Sequence, residues 1–279
     1  MSSSLRALVR ASHPEPAVAV TTVTALLAWG VGHGGAGIAR TAGAVFASQL
    51  AIGWVNDRFD AGRDRAVGRV DKPVARGAIS ARVVGFCGVA ATVACVLLSL
   101  STGWPAEILM IAALASALLY DWPLKFTAFS VVPYAVSFGL LPAFVVVALP
   151  GAPAPPSWLV AAGALLGAGA HFANVLPDLD DDRRTGVRGL PHRLGSAGSR
   201  VAAAGLLFAA TVTLVVGPPG RPSWAGVAAI VAAVVVLPLG WYAGRAATAR
   251  GGRPVAVFRS VMAVAVIDVV LLVASGRVV

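Results

Sequence analysis

Charges and helix breakers divide this chain into nine apolar segments, and no other feature constrains its fold as much. The segments run approximately 17–32, 38–56, 78–101, 105–120, 128–149, 157–176, 199–217, 224–244 and 255–275. Each is close to the roughly 20 residues that a helix needs to cross the hydrocarbon core of a bilayer. Of 279 residues, 58% are hydrophobic and only 12% charged, whereas a soluble domain carries about a quarter charged residues. The expected fold is an all-α membrane protein. Pro133, Pro142 and Pro238 lie inside segments, where membrane helices tolerate proline because neighbouring groups satisfy the freed backbone.

The basic residues orient the segments. With the N-terminus in the cytoplasm, 19 arginines and lysines fall on the cytoplasmic side and three, Arg40, Arg221 and Arg277, on the outer side. The positive-inside rule expects such an asymmetry, and it supports the odd count of nine with the C-terminus outside. Residues 1–16 then form a cytoplasmic N-terminal segment without the apolar stretch of a signal peptide. Residues 17–279 form a single nine-helix transmembrane domain. The net charge of +10 suits anionic headgroups. Nucleic acid is excluded as a partner, because aromatics are not interleaved with the basic residues. The two cysteines, Cys87 and Cys95, are eight apart in one apolar segment. That places them about 12 Å apart along a helix, too far for a disulfide. Richness in Ala, Val, Arg and Gly points to a GC-rich bacterial genome, and hence to a bacterial plasma membrane.

The acidic residues are concentrated. Seven of the 12 lie in two clusters, Asn56-Asp57-Arg58-Phe59-Asp60-Ala61-Gly62-Arg63-Asp64 and Asp178-Leu179-Asp180-Asp181-Asp182. Carboxylates beside membrane segments are costly and need a reason. The topology places both clusters in the longest loops and on the cytoplasmic side, and long loops in a compact fold usually carry function. Asn56, Asp60 and Asp64 recur every four residues, so a helix continuing past the membrane face aligns them in one stripe, with Asp57 beside it as a further ligand able to reach the same metal ion. Asp178 and Asp182 share the spacing, and Asn174 lies one turn earlier.

Two facing stripes of carboxylates suit Mg²⁺, which prefers hard oxygen ligands and commonly links carboxylates to substrate phosphates. Lys72, Lys125, Arg183 and Arg184 are placed to neutralise the remaining charge of a diphosphate. Such a site stabilises a leaving diphosphate while the allylic carbon becomes cationic, and the apolar helices shelter that carbon from water. Asp180 and Asp181 are expected to face solvent.

At these residues the chain resembles a family. Asn56-Asp57-x-x-Asp60-x-x-x-Asp64, followed by Asp71-Lys72-Pro73 and Arg76-Gly77, is similar to the first signature of the UbiA-type intramembrane prenyltransferases. Asp178-x-x-x-Asp182, followed by Arg183-Arg184-Thr185-Gly186, resembles the second, and Tyr120 to Lys125 resembles a further conserved stretch. The resemblance implies a nine-helix bundle around a central cavity that opens laterally to lipid. It implies Mg²⁺-dependent transfer of a prenyl group from a prenyl diphosphate to a lipophilic acceptor, usually aromatic. Asn56, Asp60, Asp64, Asp178 and Asp182 would hold the Mg²⁺–diphosphate, and Tyr120 and Lys125 would contact the diphosphate.

The resemblance has one gap. Ser12-His13-Pro14 stands where many aromatic-acceptor members carry Arg-Pro, with Arg10 a turn away. A terpene cyclase, which uses no acceptor, therefore stays open, and a third reading is a non-enzymatic membrane protein such as a lipid carrier on the same scaffold. His171 is either an active-site base or a satisfied polar residue of the bundle. Asp268, in the ninth segment, is expected to pair across helices.

Overall fold

The computed structural model describes residues 3–276 and Val278. Arg277, one of the three outer cations of the expected topology, lies outside the described residues. The described residues form helices α1 (Ser3–Ala11), α2 (Pro14–Gly30), α3 (Gly35–Ala66), α4 (Ala81–Leu100), α5 (Trp104–Asp121), α6 (Val132–Val147), α7 (Ser157–Val175), α8 (Leu179–Arg184), α9 (Leu190–Val216), α10 (Trp224–Ala249) and α11 (Val255–Ala274). Among them there is no strand. Seven helical stretches are long and apolar enough to cross a membrane: α3, α4, α5, Ser157–Arg184, α9, α10 and α11. The first and fifth expected segments fall on the shorter helices α2, of 17 residues, and α6, of 16.

Local chemistry sets the helix limits. Proline occupies the first turn of α2, α5, α6 and α9, where its missing N–H costs nothing. Ser80 caps α4 by accepting from the Val83 N–H at 3.2 Å, and Ser223 caps α10 by accepting from Gly226 at 3.1 Å, so each satisfies one orphan donor. The seventh expected segment begins early. Its helix starts at Leu190 but bends at Gly195, whose φ of 70° lies in the left-handed region that favours glycine.

The distribution of side chains is that of a lipid-solvated bundle. Phe86, Leu97 and Val201 project outward, 76%, 61% and 63% exposed, while Thr24, Thr41 and Ser48 are buried and donate to their own helix carbonyls. With no hydrophobic drive between helices in lipid, close packing of small residues supplies cohesion. The packing of α6 on α7 is such a case. Gly163 and Gly167 lie one turn apart against Tyr134, Phe138 and Pro142; a Cβ on Gly167 would meet the Phe138 Cβ at 2.5 Å.

The connections sort to the two ends of the bundle. At one end Arg40 donates to the Ser101 carbonyl at 3.1 Å, and His33 contacts the Val145 carbonyl at 2.8 Å. Trp29, Trp104 and Trp224 are exposed there, as in an interfacial aromatic belt. At the other end the N-terminal segment and the α3–α4, α5–α6, α7–α9 and α10–α11 connections converge, and both acidic clusters lie among them.

Candidate functional site

The first cluster is built on the long extension of α3. Asn56 donates to the Asp121 carboxyl at the end of α5 at 2.8 Å, and more weakly to Asp60 at 3.3 Å. The Asp60 Oδ1 accepts from Lys125 Nζ at 2.5 Å and from Arg63. Lys125 comes from a short 3₁₀ turn after α5, and its side chain is 5% exposed. Phe126 lies under both cations, 5.4 Å from the Arg63 guanidinium and 5.9 Å from Lys125 Nζ, a favourable cation–π arrangement. Asp64 follows one turn later on the same helix.

The second cluster forms because α7 does not continue. The chain turns through a 3₁₀ segment, Leu176–Asp178, that contains Pro177, and then makes the single short helix α8. Asp178 Oδ1 accepts from Arg253 of the α10–α11 connection and forms an ion pair with Arg69 Nη1 at 3.0 Å. Asp182 lies 3.8 Å from Arg63 and 3.3 Å from His192. Arg63 thus sits between Asp60 and Asp182, and Arg69 spans Asp71 and Asp178. Clusters about 120 residues apart in sequence meet through two arginines.

Other expected residues are engaged differently. Asp57 is 1% exposed and held by Lys72 at 2.6 Å and His13 at 2.9 Å, so Asp57 and Lys72 bind each other and the N-terminal segment. Asn174 donates to the Tyr134 hydroxyl at 3.0 Å and not to a carboxylate. Arg183 and Arg184 are largely exposed and lie 3.7 Å from Asp180 and Asp181. Tyr120 packs edge-on to Tyr134 and His171, with ring centroids at 4.9 and 5.4 Å. His171 is buried, 3.0 Å from the Ser130 hydroxyl. Asp180 is 94% exposed, as expected, but Asp181 is not. Its side chain is only 23% exposed, because the carboxylate accepts from Arg253 at 2.7 Å. Asp268 pairs across helices, accepting from Thr211 at 2.7 Å.

Arg63, Arg69, Asp121, His13, His192 and Arg253 went unmarked as site residues in the sequence. Arg63 could have been found three residues after Asp60 on the same helical face. Asp121 lies inside the Tyr120–Lys125 stretch. Arg253 carries no local signal, because only the fold of α10 and α11 brings it to α8.

The donor set fits a hard divalent cation. Among the described residues no three His, Cys, Asp or Glu side chains already form a cage. Mg²⁺ needs none, since it keeps waters and uses one or two carboxylates with substrate phosphate. Buried atoms without a hydrogen bond remain at the site, Arg63 Nη1 and Asp121 Oδ2, and such atoms call for a ligand or water. The cationic side matches an anion. Arg69 donates to both Asp71 oxygens, at 2.9 and 2.8 Å, and these bonds hold the Asp71 carboxyl down at about 2.

Fold and site together define an all-helical integral membrane protein with one acid- and arginine-rich polar site at one end of an apolar bundle. The chain belongs to the UbiA prenyltransferase family, which it matches over residues 17–267. Its fold is similar to that of a UbiA homologue from Aeropyrum pernix K1 (TM-score 0.75, 21% identity, 94% of this chain and 98% of that one). A UbiA homologue from Archaeoglobus fulgidus bound to GPP and Mg²⁺ is also similar (0.73, 14%, 97% and 98%). So is a structure of digeranylgeranylglyceryl phosphate synthase (0.63, 16%, 99% and 99%). No curated protein matches the chain by sequence.

Proposed function

We propose that this protein is a Mg²⁺-dependent intramembrane prenyltransferase, which moves a prenyl group from a prenyl diphosphate to a lipophilic acceptor. One observation carries the reading: α3 and the α7–α8 break bring two carboxylate clusters into a single site, with Arg63 and Arg69 between them. The ligands of the Archaeoglobus structure, GPP and Mg²⁺, have the chemistry such a site would take.

Asn56, Asp60, Asp64, Asp178 and Asp182 would hold the metal. Bound there, Mg²⁺ supplies a hard Lewis acid for the diphosphate oxygens. Lys125, Arg63 and Arg69 take up charge on the departing diphosphate. Asn174 is exposed although Phe172, Ala173, Val175 and Leu176 around it are buried. It therefore fronts open space, and Tyr120, Tyr134 and Phe138 flank that side. We place the prenyl chain here, in a central cavity that keeps water from the allylic carbon. Residues 17–279 act as one domain of nine crossings, with α2 and α6 as the short ones. The site, the N-terminus and residues 1–16 face the cytoplasm of a bacterial cell.

A cyclase reading has one observation in its favour. His13, in the position where the family often has arginine, is tied to Asp57 and Lys72 and offers no free cation to an acidic acceptor. Incubating the purified protein with Mg²⁺ and prenyl diphosphates of several lengths separates the readings. Turnover only after an aromatic or other lipophilic acceptor is added supports the transferase. A hydrocarbon or terpene alcohol formed without acceptor replaces it with the cyclase, and failure to bind diphosphate removes both.

A further inference from the structure

The α10–α11 connection carries an arginine into the acidic site. Arg253 Nη1 bonds Asp178, and its Nη2 bonds Asp181 at 2.7 Å. The fork thus spans two carboxylates on either side of the 3₁₀ turn into α8. It ties the connection between the last two helices to the second cluster. The Asp178 Oδ1 that Arg253 occupies also lies 3.0 Å from Arg69 Nη1, in an ion pair. One carboxylate oxygen therefore faces two guanidinium groups, and a divalent cation that takes this oxygen must displace one of them.

The surroundings decide which one leaves. Arg69 is 9% exposed and pinned by two bonds to Asp71. Arg253 is 38% exposed and sits in a short connection after Gly251 and Gly252. It also keeps a second anchor, Asp181, when Asp178 is taken from it. A guanidinium freed there retains two or three donors for a planar, bidentate grip on phosphate oxygens.

We propose that Arg253 is an exchangeable latch: it covers Asp178 in the ligand-free site and, pivoting on Asp181, passes to the diphosphate when Mg²⁺ and diphosphate bind. The inference rests on the proposed function, because it presupposes that Asp178 meets the metal. It assigns Arg253 a substrate contact and Asp181 a positioning role.

Calorimetry of the full chain in detergent tests it, with Mg²⁺ and inorganic pyrophosphate as the probe. Arg253→Gln should weaken pyrophosphate binding about tenfold or more, the size of a lost charged hydrogen-bond pair. The same variant should bind Mg²⁺ alone more tightly than the wild type, because Asp178 is uncovered. A merely structural arginine would not produce that opposite movement. Arg253→Lys, which keeps the charge and loses the fork, should lie between the two and guards against a misfolded glutamine variant. Wild-type affinities for both probes in Arg253→Gln would overturn the latch. Absence of Mg²⁺–pyrophosphate binding by the wild type would instead overturn the proposed function.

Discussion

Single side chains at the site play different parts, and their partners show which. Asp60 and Asp182 face each other across Arg63, so Asp60→Ala or Asp182→Ala should abolish turnover and leave the helical circular dichroism unchanged. Asp180, 94% exposed, should tolerate alanine with activity within a few-fold of wild type. Wild-type rates in both of the first two variants would refute the site. Asp57 makes a separate prediction. It is buried with Lys72 as its ammonium partner, and removing one member of a buried pair costs about 3–5 kcal/mol, because the other charge is left uncompensated. Lys72→Met should therefore lower the midpoint of thermal unfolding, and Asp57→Asn added to it should recover much of the loss. If the losses simply add, the pair does not stabilise the N-terminal segment.

At the scale of helices, the α6–α7 contact holds the aromatic side of the site in register. Gly163 and Gly167 let the two backbones approach, while Tyr134 and Phe138 of α6 and His171 and Asn174 of α7 lie further along the same face. A side chain at Gly163 meets the Phe138 carbonyl and the Pro142 ring, and neither can swing aside. Gly163→Leu should cost about 1–3 kcal/mol by overpacking and separate Asn174 from Tyr134. Denaturation in detergent reads the first effect, and a raised KM for prenyl diphosphate reads the second. The helices themselves were legible from hydropathy, since the limits of the third, fourth, sixth and ninth segments agree with α4, α5, α7 and α11 to within a few residues. The irregular points were less so. The extension of α3 to Ala66 was only conditional in the sequence, and the turn at Gly195 depends on how the α7–α9 connection folds back over the site.

At the scale of the molecule, the alternating course of the helices separates a polar end from an aromatic-belted end. In a variant with Cys87 and Cys95 replaced by alanine, a cysteine at Ser80 should react with an impermeant maleimide only after the cytoplasmic face is opened. A cysteine at Ser157 should react in intact cells, and the reverse pattern would invert the proposed topology. The sequence by itself determined that the chain is helical and built for lipid, because hydropathy is a local property and a bilayer has one thickness. It also marked Asn56, Asp60, Asp64, Asp178 and Asp182, because an i, i+4 spacing of costly carboxylates is visible along the chain. Only the tertiary structure decided which cations meet them. Lys72 pairs with Asp57, Arg63, Arg69 and Arg253 lie against the two carboxylate clusters, and Arg183 and Arg184 lie beside Asp180 and Asp181. Ion pairing depends on distance in space, and residues as far apart in the chain as Arg63 and Asp182 are brought together only when the helices pack.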